Sequence, residues 1–417
     1  MKGKFLKSIM TLTVGSLIAQ IITVICSPIL TRLYTESDLG LHAYILSISN
    51  IFAAIINGRY DMSIVTEEKN ERVFAIVKLS FMICTISSVI ISVGYGIFFY
   101  FSADKSQYTY TVLFLFLILF AQGIINILNS YNNRNNEYKI LSKFYMIRTS
   151  FQNIGGVIAG IFRPGFLGLL IPYCFGQYFG IQKQSKPIRQ DLKEIKEIRK
   201  PAMLEVAKLH KKQPLFSAPA LLVNSLSYSI ITLLAESLFG MGTIGYYSLS
   251  TRILGLPLSI IGGNISKVFF QEASREFEKT GNFKNSFNKT FLFLFSISIP
   301  MVLCMYFLAP WACNVFFGAG WETAGSYIRI LAIMFGFHFL TAALSPAMQV
   351  CKRQGTEFIL QSFLLLSAVL SYIITRLQPE PTMEIFLTCV CILKSIGFFI
   401  YTFVIFIFSR KNLKEEY

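Results

Sequence analysis

The chain has 417 residues, 54% of them hydrophobic and 14% charged, with a mean hydropathy of +0.57. A soluble domain is about 45–50% apolar and about 25% charged, so there is too little polar surface here to coat a globule in water. The 38 Lys+Arg against 22 Asp+Glu give a formal charge of +16; in a soluble protein that would point to nucleic acid, but the placement of the cations along the chain explains it otherwise.

The N-terminus carries Lys2, Lys4 and Lys7 ahead of an apolar run. That pattern imitates a secretory signal peptide. The run is long for one and more apolar runs follow, so it is read as an uncleaved first helix. Stretches of roughly 17 or more apolar residues are candidate membrane spans. Twelve occur, over residues 9–30, 39–57, 73–101, 110–131, 144–162, 165–181, 215–238, 244–265, 291–316, 327–350, 358–374 and 385–408. The sequence therefore predicts an all-α polytopic membrane protein.

Orientation follows from the connecting segments, because cytoplasmic loops collect Lys and Arg. The alternate set that includes the N-terminus holds 29 such residues and the opposite set 4. Both termini are expected in the cytoplasm. The high charge is then mostly a topology signal, and nucleic acid is not needed as a partner.

One segment, residues 182–214, carries ten Lys+Arg and divides the spans six and six. The expected organisation is an N-terminal six-helix bundle over 1–181, a basic cytoplasmic linker over 182–214 and a C-terminal six-helix bundle over 215–417. Leu192, Ile195 and Ile198 recur every three residues within the linker. A short amphipathic helix lying at the interface and a solvated tether both fit that spacing. The halves also echo each other. Leu33-Tyr34, four residues, Leu39-Gly40 matches Leu238-Phe239, four residues, Ile244-Gly245, at an offset of 205. Six helices per half is even, so the repeats would run parallel about the membrane normal.

Five cations fall inside the spans: Lys78, Arg148, Arg252, Arg329 and Lys394. Only one acid, Glu236, does so. A charge at the bilayer centre costs roughly 2.5–3.5 kcal/mol on insertion scales and normally faces a cavity or a partner. Lys78, Arg148 and Arg329 are near helix ends and within snorkelling reach of the interface. Arg252 and Lys394 sit mid-span, where snorkelling is difficult. The excess of cations rules out mutual neutralisation and suits a polar cavity for an anion, a phosphate or pyrophosphate matching the guanidinium fork. Pro28, Pro172, Pro219, Pro257, Pro300 and Pro346 lie in or at the ends of spans and would kink them.

Enzyme chemistry finds little here. There is no P-loop, and no carboxylate lies near His338 in sequence. Eight scattered cysteines with no CxxC and three histidines give little support for a metal site. No cofactor is expected.

Several segments carry a resemblance. They are SPILTRLYTESDLGL (Ser27 to Leu41), RYDMSIV (Arg59 to Val65), PLFSAPALLVNSLS (Pro214 to Ser227), GYYSLSTRILGLP (Gly245 to Pro257) and FGAGWETAGSYIRIL (Phe317 to Leu331). In order and spread over nearly the whole chain, they resemble the Wzx-type O-antigen and polysaccharide flippases of the multidrug/oligosaccharidyl-lipid/polysaccharide (MOP) exporter superfamily. The resemblance implies a V-shaped, MATE-like pair of six-helix bundles around a central cavity. It implies alternating access that moves undecaprenyl-pyrophosphate-linked oligosaccharide from the cytoplasmic to the periplasmic face, coupled to an ion, H+ or Na+, that the sequence does not identify. Polysaccharide polymerase machinery is a candidate associate. By position it adds Arg32, Arg59 and Asp61 to Arg148 and Arg252 as substrate candidates; Lys394, Arg329 and Lys78 rest on their place in the spans. A MATE-type drug/cation antiporter is the alternative, though it usually has an acidic site in helix 1 or 7, and here helix 1 has no acid and helix 7 only Glu236 near its end. A polysaccharide polymerase or ligase would carry a large periplasmic loop, and the longest loop here is basic and on the cytoplasmic side.

The charge split makes a direct prediction. Single cysteines at Ser106 and Gly320 should react with a membrane-impermeant thiol reagent added from outside, and cysteines at Ser185 and Asn282 should not. Outside labelling within residues 182–214 would reverse the topology.

Overall fold

In hydrocarbon the backbone has no water to bond, so a spanning segment must satisfy its own N–H and C=O groups. The computed structural model follows that constraint. It describes residues 2–102, 109–135, 137–162 and 165–411, with side chains from residue 14 onward. Ser106 and the side chains of Lys2, Lys4 and Lys7 lie outside the described residues. Among the described residues there are helices and turns and no strand. The helices are α1 (Lys2–Leu33), α2 (Glu36–Ala53), α3 (Tyr60–Thr66), α4 (Asn70–Phe101), α5 (Thr111–Arg134), α6 (Tyr138–Ile161), α7 (Leu167–Tyr178), α8 (Ile181–Gln184), α9 (Lys186–Gln190), α10 (Leu192–Glu197) and α11 (Lys200–Leu209). After them come α12 (Ala218–Pro257), α13 (Gly263–Thr280), α14 (Lys284–Phe317), α15 (Glu322–Leu344), α16 (Ala347–Val350), α17 (Gln354–Arg376) and α18 (Met383–Arg410).

Eight described segments are long and apolar enough to cross a bilayer on composition alone. One of them, Gln213–Thr280, contains two of the expected spans. Gly240 divides α12 with φ 77 and ψ 177, a conformation open only to glycine without strain. The remaining expected spans are α2, α6 and α7. Helix α6 falls short on hydropathy because it holds Lys139, Lys143, Arg148, Gln152 and Asn153. Helix α7 is shorter than the sequence suggested, because Gly180, at φ 84, turns the chain after Phe179. The chain is a multi-pass membrane protein with two compact units: Met1–Tyr34 with Ile45–Ser225, and Thr35–Tyr44 with Leu226–Tyr417.

In the first unit, α1 shows Val14, Ile18, Ile21 and Ile25 outward, a helical stripe suited to lipid. Its other side packs on α6 through small residues. A Cβ on Gly160 would meet Leu33 and Tyr34 at 2.9–3.0 Å, and the Tyr34 hydroxyl donates to Gly156 O at 2.7 Å. Close approach over small residues is how membrane helices gain packing energy without a hydrophobic force between them. The end of α2 is pinned by polar bonds. The Asn57 amide donates to Ser80 O (3.3 Å) and Gly123 O (3.1 Å), and Asn126 donates to Ala53 O at 2.9 Å.

The basic segment after α7 folds onto this unit. Ile188, Ile195, Met203 and Val206 are buried in one cluster with Tyr60, Ile64, Phe74, Val77, Ile127 and Leu128. So Ile195 packs against protein, Ile198 is partly buried beside it, and Leu192 stays 40% exposed. Polar bonds reinforce the docking. Lys78 Nζ donates to the carbonyls of Lys196 (2.8 Å) and Ile198 (2.7 Å) at the end of α10, where the helix dipole favours a cation. Tyr131 donates to Asp191, and Tyr60 to Ala207 O at 3.2 Å. His210 meets Glu67 at 3.2 Å and Arg72 meets Glu205 at 3.1 Å. Burial pushes the Glu67 carboxyl up, but the Lys69 N–H, His210 and Arg72 outweigh it and hold it below the usual carboxylate range.

The second unit begins with a capped helix. Thr35 and Asp38 bond reciprocally at the start of α2, with the Thr35 N–H donating to Asp38 Oδ2 at 3.1 Å and the Asp38 N–H to Thr35 Oγ1 at 3.2 Å. This is a capping box, and it explains the sequence TESD. The first turns of α2 then press against the second half of α12. A Cβ on Gly40 would meet Met241 O at 1.8 Å, and one on Gly245 would meet Glu36 O at 2.0 Å. These are the two glycines of the internal echo, and each allows backbone contact with the other's helix. The Tyr246 hydroxyl donates to Glu36 Oε1 at 3.0 Å. Further along, α14 and α15 pack through Gly325 and Gly336, and α15 bonds α18 through Thr341 Oγ1 to Phe398 O at 3.1 Å.

A side chain at Gly245 would collide with backbone, which cannot move aside cheaply. Gly245→Val should lower thermal stability in micelles by about 1–3 kcal/mol or more. Gly94→Ala meets nothing within 4 Å and should be neutral or gain up to about 1 kcal/mol from reduced backbone entropy. Equal stability of the two variants would refute the close contact.

Candidate functional site

In the first unit the candidate residues are placed separately. Arg32 is exposed in the last turn of α1. Arg59 takes φ 63, unusual for a branched-free long side chain, and ends a turn just before α3. It lies beside Asp61, which is 5% exposed. Arg59 and Asp61, two residues apart in the chain, are within electrostatic reach of each other. Arg148, on α6, lies over the rings of Phe144 (5.8 Å) and Tyr145 (5.4 Å) and close to Tyr173. Lys78 is engaged by the carbonyls at the end of α10.

In the second unit Arg329 is exposed on α15, its guanidinium 4.7 Å from the Tyr306 ring centre. Arg252, half-buried on α12, is within electrostatic reach of His42 on α2. Lys394 is different. It is 3% exposed, halfway along α18. Its Nζ donates to Ser227 O at 2.5 Å and stands 5.7 Å from the Tyr228 ring centre. Among the described residues it makes no ion pair.

Lys394 is the head of a polar seam. The His338 ring stacks between Tyr228 (5.3 Å) and Phe398 (4.7 Å). Tyr228 approaches Gln361 on α17, and Tyr401 on α18 approaches both Gln361 and Glu357. Gln361 Oε1 and the Tyr401 hydroxyl are nevertheless buried without a well-formed hydrogen bond. Buried polar atoms normally find partners, and within the seam these atoms have one another, Tyr228 and Glu357 close by. A carbonyl and a ring face compensate an ammonium only partly; a phosphate oxygen would do so more fully.

Sequence reasoning found Lys394 through its charge in an apolar run. It missed Tyr228, Gln361, Tyr401 and Glu357. Glu357 stood one residue outside the expected span, whereas α17 begins at Gln354. The others are neutral, and nothing in the sequence separates them from lipid-facing residues of the same type.

With the helices and the seam described, the fold can be compared. A structure described as "Lipid II flippase MurJ, inward closed conformation" matches with a TM-score of 0.72 and 16% identity, covering 97% of this chain and 89% of that one. An inward-facing multidrug resistance MATE family transporter of the MOP superfamily matches at 0.67 and 15%, covering 97% and 98%. Its outward-facing counterpart matches at 0.65 and 14%, covering 98% and 96%. At such identity the likeness is one of fold, shared with the MurJ and MATE structures. The sequence profile of the family described as "Polysaccharide biosynthesis protein" matches residues 29–326, most of the chain. The chain belongs to that polysaccharide biosynthesis family. No curated protein matches it.

Proposed function

We propose that the protein is a flippase for a polyprenyl-pyrophosphate-linked oligosaccharide, of the O-antigen repeat-unit type. It carries the saccharide from the cytoplasmic to the periplasmic face of the bacterial inner membrane by alternating access. The observation that carries this reading is Lys394: a buried lysine amine in a spanning helix with only a carbonyl and an aromatic face as described partners. An intramembrane cation is costly and is retained where function needs it. Membership of a polysaccharide biosynthesis family supports a saccharide cargo, and the name of the MurJ match supports one attached to lipid.

The chemistry is then one of accommodation, with no bond made or broken. The polyprenyl tail is at home in lipid, while the pyrophosphate and sugars are not. Lys394 and Arg252 supply charge to the pyrophosphate as it passes. Arg148, with Arg59 and Asp61, serves the same passage from the N-terminal bundle, and Arg32, Arg329 and Lys78 are secondary candidates. The working parts are the bundles of residues 1–181 and 215–417, joined through 182–214, with both termini in the cytoplasm. Hydroxyl and amide groups of the seam, Tyr228, Gln361 and Tyr401, bond sugar.

Complementation in cells tests this. With the chromosomal copy deleted, Lys394→Ala and Arg252→Ala should abolish surface polysaccharide and leave lipid-linked oligosaccharide accumulating on the cytoplasmic face, at normal protein levels. Lys394→Met, which keeps the volume and removes the charge, should fold as well as wild type and also fail. Normal surface polysaccharide in these variants would remove the proposal.

A further inference from the structure

A second cationic site lies away from the Lys394 seam, within the first unit. Where α7 ends, Gly180 turns the chain back over the side of α6. A Cβ there would meet the Phe144 ring at 2.6 Å, and φ is +84, so both space and backbone call for glycine. The turn places α8 against the beginning of α6 with α9 beside α8, and together they line an open-sided cavity of about 460 Å³. Lys143 of α6, Lys183 of α8, and Lys186 and Arg189 of α9 all line it over an apolar floor that includes Phe144. None of its described lining residues is acidic. The nearest acid along this segment, Asp191, is bonded to Tyr131. The guanidinium of Arg148 rests near the same Phe144 ring, at 5.8 Å.

Excess cations on loops satisfy the topology rule wherever they point. Four exposed cations lining one open-sided cavity, against mutual repulsion, are a stronger condition, and that arrangement selects an anion. The apolar flank selects its source. Phe175 and Phe179, at the end of α7 just before the cavity, are 52% and 50% exposed, as expected for rings facing acyl chains. Basic pockets beside membrane helices, at the level of the headgroups, are suited to phosphate-bearing lipids.

We propose that this cavity holds the phosphate headgroup of an anionic membrane phospholipid, whose chains lie along the Phe175–Phe179 flank. The lipid fixes α8 against α6. The site is independent of the cargo and stands whether or not the transport reading does.

The test uses the purified full-length protein in mild detergent. Retained lipid is read by native mass spectrometry and thermal stability by unfolding, with phosphatidylglycerol, phosphatidylcholine or inorganic phosphate added separately. Wild type should retain and be stabilised by phosphatidylglycerol only. K183Q/K186Q/R189Q should retain it on the order of a hundredfold less, at about one surface-cation contribution per substitution. K193Q/K208Q/K211Q removes the same charge from the same segment outside the cavity and should retain it as wild type does. K183R/K186R keeps the charge and should also retain it, separating loss of binding from loss of fold. Equal weakening by both triple substitutions, or equal stabilisation by inorganic phosphate, would overturn the proposal.

Discussion

Hydrocarbon provides neither hydrogen bonds nor a hydrophobic force that drives apolar helices together. Each feature of this fold answers one of those two deficits. The backbone is closed into helices. Helices then meet where side chains are small enough to let dispersion act: Gly160 on Leu33, Gly325 on Pro310, Gly245 on Glu36. Side-chain donors are spent on backbone carbonyls of neighbouring helices, as with Asn57, Tyr34 and Thr341. Such bonds add little net energy each but avoid the larger cost of an orphaned polar group in lipid.

Against that background the cations divide by what compensates them. Lys78 is compensated by a helix end and belongs to the architecture of the first unit. Arg148 and Arg329 rest on aromatic rings. Lys394 has one carbonyl and one ring and is almost fully buried. A charge so placed adds no stability that a methionine of the same shape would not supply. On the proposed function its place is explained by an anion that visits, and Gln361 and Tyr401 close by in the same seam are the groups that would meet the uncharged part of a saccharide ligand.

Much of this was legible from residues alone. The apolar runs located the spans, since twenty or so consecutive apolar residues have few other uses. The Gly40 and Gly245 echo marked the two positions that turn out to allow backbone contact between α2 and α12. Lys394 announced itself because a lysine in an apolar run is conspicuous. Other features needed the third dimension. The spacing of Leu192, Ile195 and Ile198 showed that the basic segment has an apolar side, but not that Ile195 would bury it against Val77 rather than in lipid. The partners of Lys78 are carbonyls 118 and 120 residues away, and a backbone carbonyl leaves no trace in sequence. Tyr228 and Tyr401 are two among 20 tyrosines, and only their neighbours distinguish them. The convergence of Lys143 with Lys183, Lys186 and Arg189 likewise depends on a turn at Gly180 that brings distant segments of charge together.

The central claim is that a buried ammonium serves the passage of an anionic lipid-linked saccharide. It is tested most directly in proteoliposomes loaded with a fluorescent polyprenyl-pyrophosphate-linked oligosaccharide, with its arrival in the outer leaflet followed by quenching. Wild type should move the compound far faster than protein-free vesicles, and Lys394→Met, folded and inserted to the same extent, should bring the rate close to that background. A Lys394→Met protein that translocates as fast as wild type would contradict the account.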